Sequence, residues 1–257
     1  MRNYLAIIGK ELGTLFVSPI AYTVLAVFYA VSGYFFYIIL SFFVQQSSMR
    51  QMGPSPFPMD VPGLVMASYL GVLSTILLFL LPMITMGSFA EERKRGTIEL
   101  LLTSPITRLQ LILGKFSAAM IFLMVMLAPV VLKILLLFLY SNPAPSPSPY
   151  LAALLGVLLL GGALMAIGLF VSSLTENQIV AAAATFGIFI ILWVLDASAE
   201  SSTTIWNETL RYLAVLNHYE DFTKGIIDTQ HLVFYLSFVC LGLFLTSLSL
   251  DSEKWRS

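Results

Sequence analysis

Six long apolar stretches alternate with shorter polar segments along the chain. A helix needs about 20 apolar residues to cross hydrocarbon about 30 Å thick, and each stretch is long enough to do so. A membrane β-barrel would instead show alternating segments of about ten residues, which do not occur here. The pattern predicts an all-α polytopic membrane protein, a single transmembrane domain over 1–257 with spans at 20–44, 64–88, 109–140, 150–174, 179–195 and 232–250.

The composition agrees with a membrane environment. Of the 257 residues, 58% are hydrophobic and only 11% are charged, with a mean hydropathy of +0.91. Soluble domains carry about 25% charged residues because they must keep a hydrated surface. The formal net charge is −1, so we expect membrane lipid and no nucleic acid as a partner. Cys240 is the only cysteine and cannot form an intrachain disulfide.

The first 19 residues differ from the spans because they mix apolar and charged positions. Lys10 and Glu11 interrupt the apolar run, so no secretory signal is expected. The helical period predicts an interfacial helix over 1–19, although an extension of the first span would also fit. Pro19 suits the first turn of that span. The predicted apolar face contains Tyr4, Leu5, Ile8, Leu12, Leu15 and Phe16.

Basic residues are distributed unevenly over the two sides of the predicted bundle. Nine lie on the side that carries both termini and three on the other, which predicts cytoplasmic N- and C-termini. Lys133 falls inside the third span near its outer end. It fits either a lysine that snorkels to the interface or a ligand for a substrate or ion within the membrane. The nine are Arg2, Lys10, Arg93, Lys94, Arg95, Arg108, Lys115, Lys254 and Arg256, and the three are Arg50, Arg211 and Lys224.

The predicted outer connections are of two kinds. Those at 45–63 and 142–149 are rich in proline, which resists helix and strand and indicates extended connectors. The third, at 196–230, mixes apolar and acidic residues. Its apolar positions recur at helical spacing, which predicts short amphipathic helices at the outer surface. These positions include Trp206, Leu210, Leu213 and Leu216.

The loop at 89–107, between the second and third spans, separates charged from apolar residues. Glu91 and Arg95 stand four apart, which favours a helical turn extending from the second span, and Gly96 permits a bend. An apolar patch too short to span then follows, which either docks on a partner or packs locally. Thr107-x-x-Gln110 predicts the start of the third span. The patch consists of Ile98, Leu100, Leu101 and Leu102.

The segment 89–106 closely resembles the signature region of type-2 ABC exporter permeases, the ABC-2 family. That signature reads Glu-Glu-Arg/Lys, a basic residue, Gly-Thr, Glu-Leu-Leu and Ser-Pro after the second span, and this chain has Glu-Glu-Arg-Lys-Arg-Gly-Thr-Ile-Glu-Leu-Leu-Leu-Thr-Ser-Pro. Ser-Pro-Ile-Ala-Tyr at 18–22 and the segment 217–228 also resemble this family. These two segments are most similar to its bacterial branch related to gliding-motility permeases.

The resemblance implies a non-catalytic subunit that forms the translocation path of an ATP-driven exporter in the bacterial inner membrane. The implied partners are an ABC ATP-binding subunit that holds ATP and magnesium, a second permease copy or paralogue, and a possible periplasmic auxiliary protein. This chain itself would bind no cofactor and no metal. A coupling helix within 89–107 would meet the ATPase, and outer re-entrant or gate helices would lie within 196–230. The implied coupling residues are Glu91, Glu92, Arg93, Lys94, Gly96, Thr97, Glu99, Leu100, Leu101 and Leu102, and the implied outer-gate residues are Asn217, His218, Glu220, Asp221 and Phe222.

Other classes of function have weaker support in the residues. The chain lacks the Gly-x-x-x-x-Gly-Lys-Ser/Thr loop that holds nucleotide phosphates. His218 and His231, the only histidines, lack a ligand spacing. A gradient-driven secondary transporter or channel is the main alternative, but Lys133 is the only ionisable residue well inside a span. A membrane scaffold or sensor would leave the apolar patch of the loop without a partner.

Overall fold

Nine helices make up the part of the chain that the computed structural model describes, which is residues 2–51, 60–98, 106–141, 145–199 and 214–253. Seven of them have at least 16 residues. In chain order they are α1 (Arg2–Val17), α2 (Pro19–Gln51), α3 (Val61–Thr85), α4 (Gly87–Lys94), α5 (Arg108–Tyr140), α6 (Ser148–Ser173), α7 (Gln178–Ala199), α8 (Asn217–Thr223) and α9 (Thr229–Glu253).

The helix starts follow from local chemistry. The Thr107 hydroxyl accepts a hydrogen bond from the Gln110 amide (3.3 Å), and the Thr107 amide donates to the Gln110 side chain (3.2 Å), which confirms the capping box predicted for α5. At α3 the Asp60 carboxylate accepts from the amide of Gly63 (3.1 Å). Pro19 opens α2, as predicted.

The prediction of an all-helical membrane protein is confirmed. Five helical stretches are long and apolar enough to cross a bilayer: α2, α3 together with α4, α5, α6 and α9. In α7 the apolar part covers 17 residues, Gln178–Val194, which is shorter than the other five. The sixth crossing therefore stays a prediction, although α7 does form where a span was expected at 179–195.

Helix α6 lies at the centre of the bundle and packs against α3, α4, α5, α7, α8 and α9. Small residues along it permit this close packing. Gly156 faces the ring of Phe222 in α8, and Ala166 meets Gly242 of α9 so closely that a side chain at 242 would contact the α6 backbone. These small residues therefore serve close helix packing within the chain.

The bundle has two ends, which we name by what they carry. The loop face contains α1, α4 and the start of α5; here Arg108 pairs with Asp251 of α9, and the Ser249 hydroxyl donates to the carbonyl of Ser173 (3.0 Å). The α8 face contains α8 and the starts of α3, α6 and α9. At this face the Tyr219 hydroxyl donates to the carbonyl of Leu70 (3.2 Å).

The N-terminal helix contacts the bundle partly through residues outside its predicted apolar face, and its interfacial location stays a prediction. Helix α1 packs along α5, with Ile7 buried against Gly114 and the Tyr4 hydroxyl 2.6 Å from that of Ser117. Leu5, placed on the apolar face, is 65% exposed. Glu11, which is not part of the predicted apolar face, points into the bundle because Lys115 of α5 lies opposite it.

Candidate coupling site

The base of the 89–107 loop is held to the bundle through a serine of α6. Helix α3 ends at Thr85, and after Met86 the chain starts again as α4. The buried Ser172 hydroxyl accepts hydrogen bonds from the amides of Phe89 (3.1 Å) and Ala90 (3.2 Å) and donates to the carbonyl of Met86 (2.8 Å). These amides lie in the first turn of a helix, where they have no partner within the helix. Ser172 therefore fixes the position of α4 relative to α6.

A buried ion cluster joins α1, α4 and α5 at the same level. The ammonium of Lys115, whose side chain is only 2% exposed, lies 2.8 Å from the Glu11 carboxylate and 3.0 Å from that of Glu92. It also donates to the carbonyl of Ser88 (2.7 Å) and sits 5.1 Å from the ring centroid of Phe89. Buried charges are tolerated where they are paired and hydrogen-bonded in this way. We call Lys115, Glu11 and Glu92 the ion cluster.

Lys10 extends the ion cluster towards solvent. Its ammonium lies 3.1 Å from Glu92 and 3.8 Å from Glu11. Burial lowers the pKa of the Lys10 ammonium, but attraction to Glu92 and then Glu11 raises it more, so the pKa lies above its ordinary value of 10.5. Two lysines and two glutamates thus balance in charge at the base of the loop.

The chain turns sharply after α4. Gly96 adopts a φ of +67°, a left-handed conformation that favours glycine, and this confirms the predicted bend. Arg95 pairs with Glu91 one turn earlier, as predicted, and the Thr97 hydroxyl donates to the carbonyl of Glu92 (3.2 Å). Ile98 is 6% exposed and packs against the bundle near Ile7, Phe89, Leu111 and Ile112.

The residues predicted for an outer gate lie on α8, whose apolar side packs between neighbouring helices. Tyr219 and Phe222 are fully or almost fully buried, and Phe222 lies against Gly156 of α6. Glu220 remains exposed and pairs with Lys224 (3.4 Å). Gly225, with a φ of +83°, ends this segment against Pro149. Among the described residues, α8 is therefore a short buried helix held by α3, α6 and α9.

A polar chain that the sequence did not reveal links α8 to α9. The Nδ1 atom of His218 lies 2.6 Å from Nδ1 of His231, whose Nε2 is 2.9 Å from the Asp221 carboxylate. His218 also stacks on Phe234 with ring centroids 4.0 Å apart. The histidines are 13 residues apart, and the turn after α8 brings them together. No spacing rule for a metal site would have found this contact.

Comparison with known proteins decides the family of this helical membrane chain. The family model for ABC-2 family transporter proteins matches residues 5–250. The chain belongs to the ABC-2 family. Similar proteins include the probable multidrug ABC transporter permease YbhR of Escherichia coli strain K12 and of Escherichia coli O157:H7, each 28% identical over 173 residues. The alignment covers 65% of this chain and 44% of each relative, so the chain spans less than half the length of these relatives.

Membership of this family agrees with the several apolar helices of a multi-pass membrane protein, and permeases of the ABC-2 family are typically non-catalytic membrane subunits. The resemblance to ABC-2 permeases is thereby confirmed, while the gliding-motility branch stays a prediction. Among the described residues, no group of three or more histidine, cysteine, aspartate or glutamate side chains is placed to hold a metal ion.

The structure places the predicted coupling residues of this ABC-2 permease in two groups. Glu92 lies inside the ion cluster, whereas Lys94 is exposed on α4 and Gly96 is exposed at the turn. The ion-cluster partners Glu11 and Lys115 and the serine Ser172 were missed. The sequence did contain a signal for the ion cluster. Lys115 lies seven residues into an apolar span, and Glu92 lies in the preceding helix. Glu99, Leu100, Leu101 and Leu102 lie outside the described residues.

Proposed function

We propose that this ABC-2 permease forms the translocation path of an ATP-driven exporter and receives force from a separate ATP-binding subunit. The contact with that subunit would be the segment 96–103, which carries Leu100, Leu101 and Leu102. ATP and magnesium would bind to the partner, and this chain would hold no cofactor. The family assignment favours this function over a gradient-driven transporter.

The observation that carries the proposal is the attachment of the loop base to the bundle. Coupling requires that a movement of the loop is transmitted to the membrane helices and is not absorbed by a flexible connection. Ser172 binds the first turn of α4 to α6, and Lys115 binds the last turns of α4 to α1 and α5. Three helices would therefore move with the loop.

The experiment is purification of the tagged full chain from its native host in mild detergent, followed by identification of its partners and an assay of ATP hydrolysis. We expect a P-loop ATPase to co-purify. Leu101→Asp should reduce ATPase recovery at least tenfold while the permease still inserts, because an apolar contact then receives a charge. Leu174→Asp is the matched control, since Leu174 is 56% exposed between α6 and α7 at the same face and lies outside the proposed contact.

Two results would count against the proposal. Recovery of the ATPase with the Leu101→Asp variant at the wild-type level would remove the loop as its docking site. Absence of any ATPase, under conditions that preserve known ABC complexes, would remove ATP-driven transport. Glu92→Lys tests a separate point: because Glu92 faces Lys115, we expect it to disturb the ion cluster and so act on coupling through the position of α4.

Assembly and orientation belong to the same proposal. A six-span ABC-2 chain would form half of a transporter, so a homodimer or a pair with a paralogue is expected, with a periplasmic auxiliary protein as a further partner. The α8 segment, with Asn217, His218, Glu220, Asp221 and Phe222, would close the path on the periplasmic side. In the bacterial inner membrane both termini would be cytoplasmic. Cysteines at Ser48 and Ser252 should then label from opposite sides of the membrane.

A further inference from the structure

Lys133 of α5 takes part in a polar cluster that lies apart from the loop base and the ion cluster. Its ammonium lies 2.6 Å from the Ser32 hydroxyl of α2 and 2.8 Å from the Tyr69 hydroxyl of α3. Tyr69 also donates to Ser32 (3.2 Å). The rings of Tyr69 and Phe36 lie 5.0 and 5.7 Å from the ammonium, within the range of cation–π attraction. We call Lys133, Ser32 and Tyr69 the hydroxyl cluster.

The position of Lys133 along α5 places it near the outer end of the predicted third span. Lys115 and Lys133 are the only charged residues between the first and last residues of α5. The 18 residue steps between them correspond to about 27 Å of helix, close to the roughly 30 Å thickness of the hydrocarbon layer. The two lysines therefore fall near opposite edges of that layer. Lys133 lies on the side of the α8 face, seven residues before the last residue of α5, Tyr140.

The two lysines differ in how their charge is balanced. Lys115 faces the carboxylates of Glu11 and Glu92. Lys133 is bound by hydroxyl groups, and within the described part of the chain it forms no ion pair with a carboxylate. A cation near hydrocarbon is costly unless it finds an anion or reaches water. An ammonium has three donors, and the hydroxyls of Ser32 and Tyr69 occupy two of them.

We propose that the hydroxyl cluster binds the phosphate group of a membrane phospholipid. Ser32 and Tyr69 are completely buried, whereas Lys133 is partly exposed, so a ligand must approach through the lysine. Leu132, next to Lys133 on the same helix, is 60% exposed and provides an apolar surface for an acyl chain. The phosphate would accept from the third ammonium donor and neutralise its charge. This binding does not depend on transport or on an ATPase.

The fixed geometry separates this site from a lysine that merely snorkels. A snorkelling lysine needs only a flexible stem and would bind lipid equally well without its hydroxyl neighbours. Here Ser32 and Tyr69 hold the ammonium in one position between α2, α3 and α5, which favours one ligand at one place. The hydroxyls should therefore contribute to affinity.

The test measures binding of dodecyl phosphate to the delipidated full chain in dodecyl maltoside, by native mass spectrometry and calorimetry. We expect one molecule per chain, with affinity at least tenfold lower in Lys133→Met and severalfold lower in Ser32→Ala and Tyr69→Phe. Lys133→Arg should retain binding. Tyr29→Phe is the matched control, because the Tyr29 hydroxyl of α2 also reaches α5, at the carbonyl of Val125 (3.0 Å), but outside the cluster.

Each alternative has its own result. Unchanged affinity in Lys133→Met would overturn the site. If Tyr69→Phe and Tyr29→Phe lower the affinity for dodecyl phosphate equally, or if neither lowers it, the Tyr69 hydroxyl makes no specific contribution. Lys133 would then be a snorkelling lysine, and the fixed site would be overturned. Inorganic phosphate binding as tightly as dodecyl phosphate would overturn the lipid assignment, as would equal binding of dodecyltrimethylammonium. If Lys133→Met does not give a monodisperse protein, the comparison of Tyr69→Phe with Tyr29→Phe decides the question.

Discussion

Lys115 offers the sharpest test of how the loop base is held. Replacing it with methionine keeps most of the apolar stem and removes the ammonium that faces Glu11 and Glu92. Two carboxylates, 14% and 13% exposed, then lie close together with no buried cation between them. Lys10 still contacts both, but its side chain is 55% exposed and its attraction is screened by solvent.

The expected cost follows from the burial of the partners. Removing one member of a buried ion pair destabilises a protein by about 3–5 kcal/mol. The lower end applies here, because both carboxylates keep some exposure and Lys10 remains beside them. We therefore expect Lys115→Met to lower the free energy of unfolding by about 3 kcal/mol. Adding Glu11→Gln should recover about 1 kcal/mol or more, since it removes one of the two facing negative charges.

The assay is reversible unfolding in mixed micelles by titration with sodium dodecyl sulfate, followed by circular dichroism. Lys94→Met is the matched control, because Lys94 is exposed on α4 and its replacement should change stability by less than about 0.5 kcal/mol. A Lys115→Met variant as stable as the control would refute the assignment of the ion cluster. Further destabilisation on adding Glu11→Gln would refute the charge argument specifically.

Three other substitutions test separate contacts by the same assay. Gly96→Ala should cost about 1 kcal/mol because its φ is +67°, whereas Gly9→Ala, in the exposed part of α1, should be neutral or stabilising; equal effects would contradict this. Ser172→Ala should cost about 1–3 kcal/mol because two buried amides lose their acceptor, while Ser173→Ala, which loses only a bond within its own helix, should cost less. Lys10→Met should cost less than about 1 kcal/mol at pH 7. Because the folded-state pKa of Lys10 lies above 10.5, that difference should persist below pH 10.5 and disappear as the pH rises through the folded-state value; a difference lost by pH 8 would contradict it.

The sequence was a good guide to features that depend on neighbours along the chain. Uniform hydrophobicity placed the long helices, and the Thr107–Gln110 cap and the bend at Gly96 were both predicted. The cap and the bend each depend on residues within four positions of one another, and each long helix depends on one continuous stretch of the chain. Such features are encoded locally, and tertiary packing does not alter them here.

Features that depend on packing between distant helices were missed. Glu11 fits a polar helix face by its period, yet it points inward because Lys115, 104 residues later, lies opposite. His218 and His231 meet only because the chain turns after α8. The face of α1 that packs inward is determined by the positive charge of Lys115 on α5. The periodicity of α1 alone carries no information about that residue.

Helix α6 connects the two faces of this permease. Ser172 near its end holds α4 at the loop face, and Gly156 near its start receives Phe222 at the α8 face. The 16 residue steps between them correspond to about 24 Å of continuous helix. A displacement of α4 towards or away from the bundle must therefore either carry the end of α6 with it or break the three hydrogen bonds of Ser172. A larger side chain at position 156 would collide with Phe222. The packing of α8 therefore also depends on the position of α6.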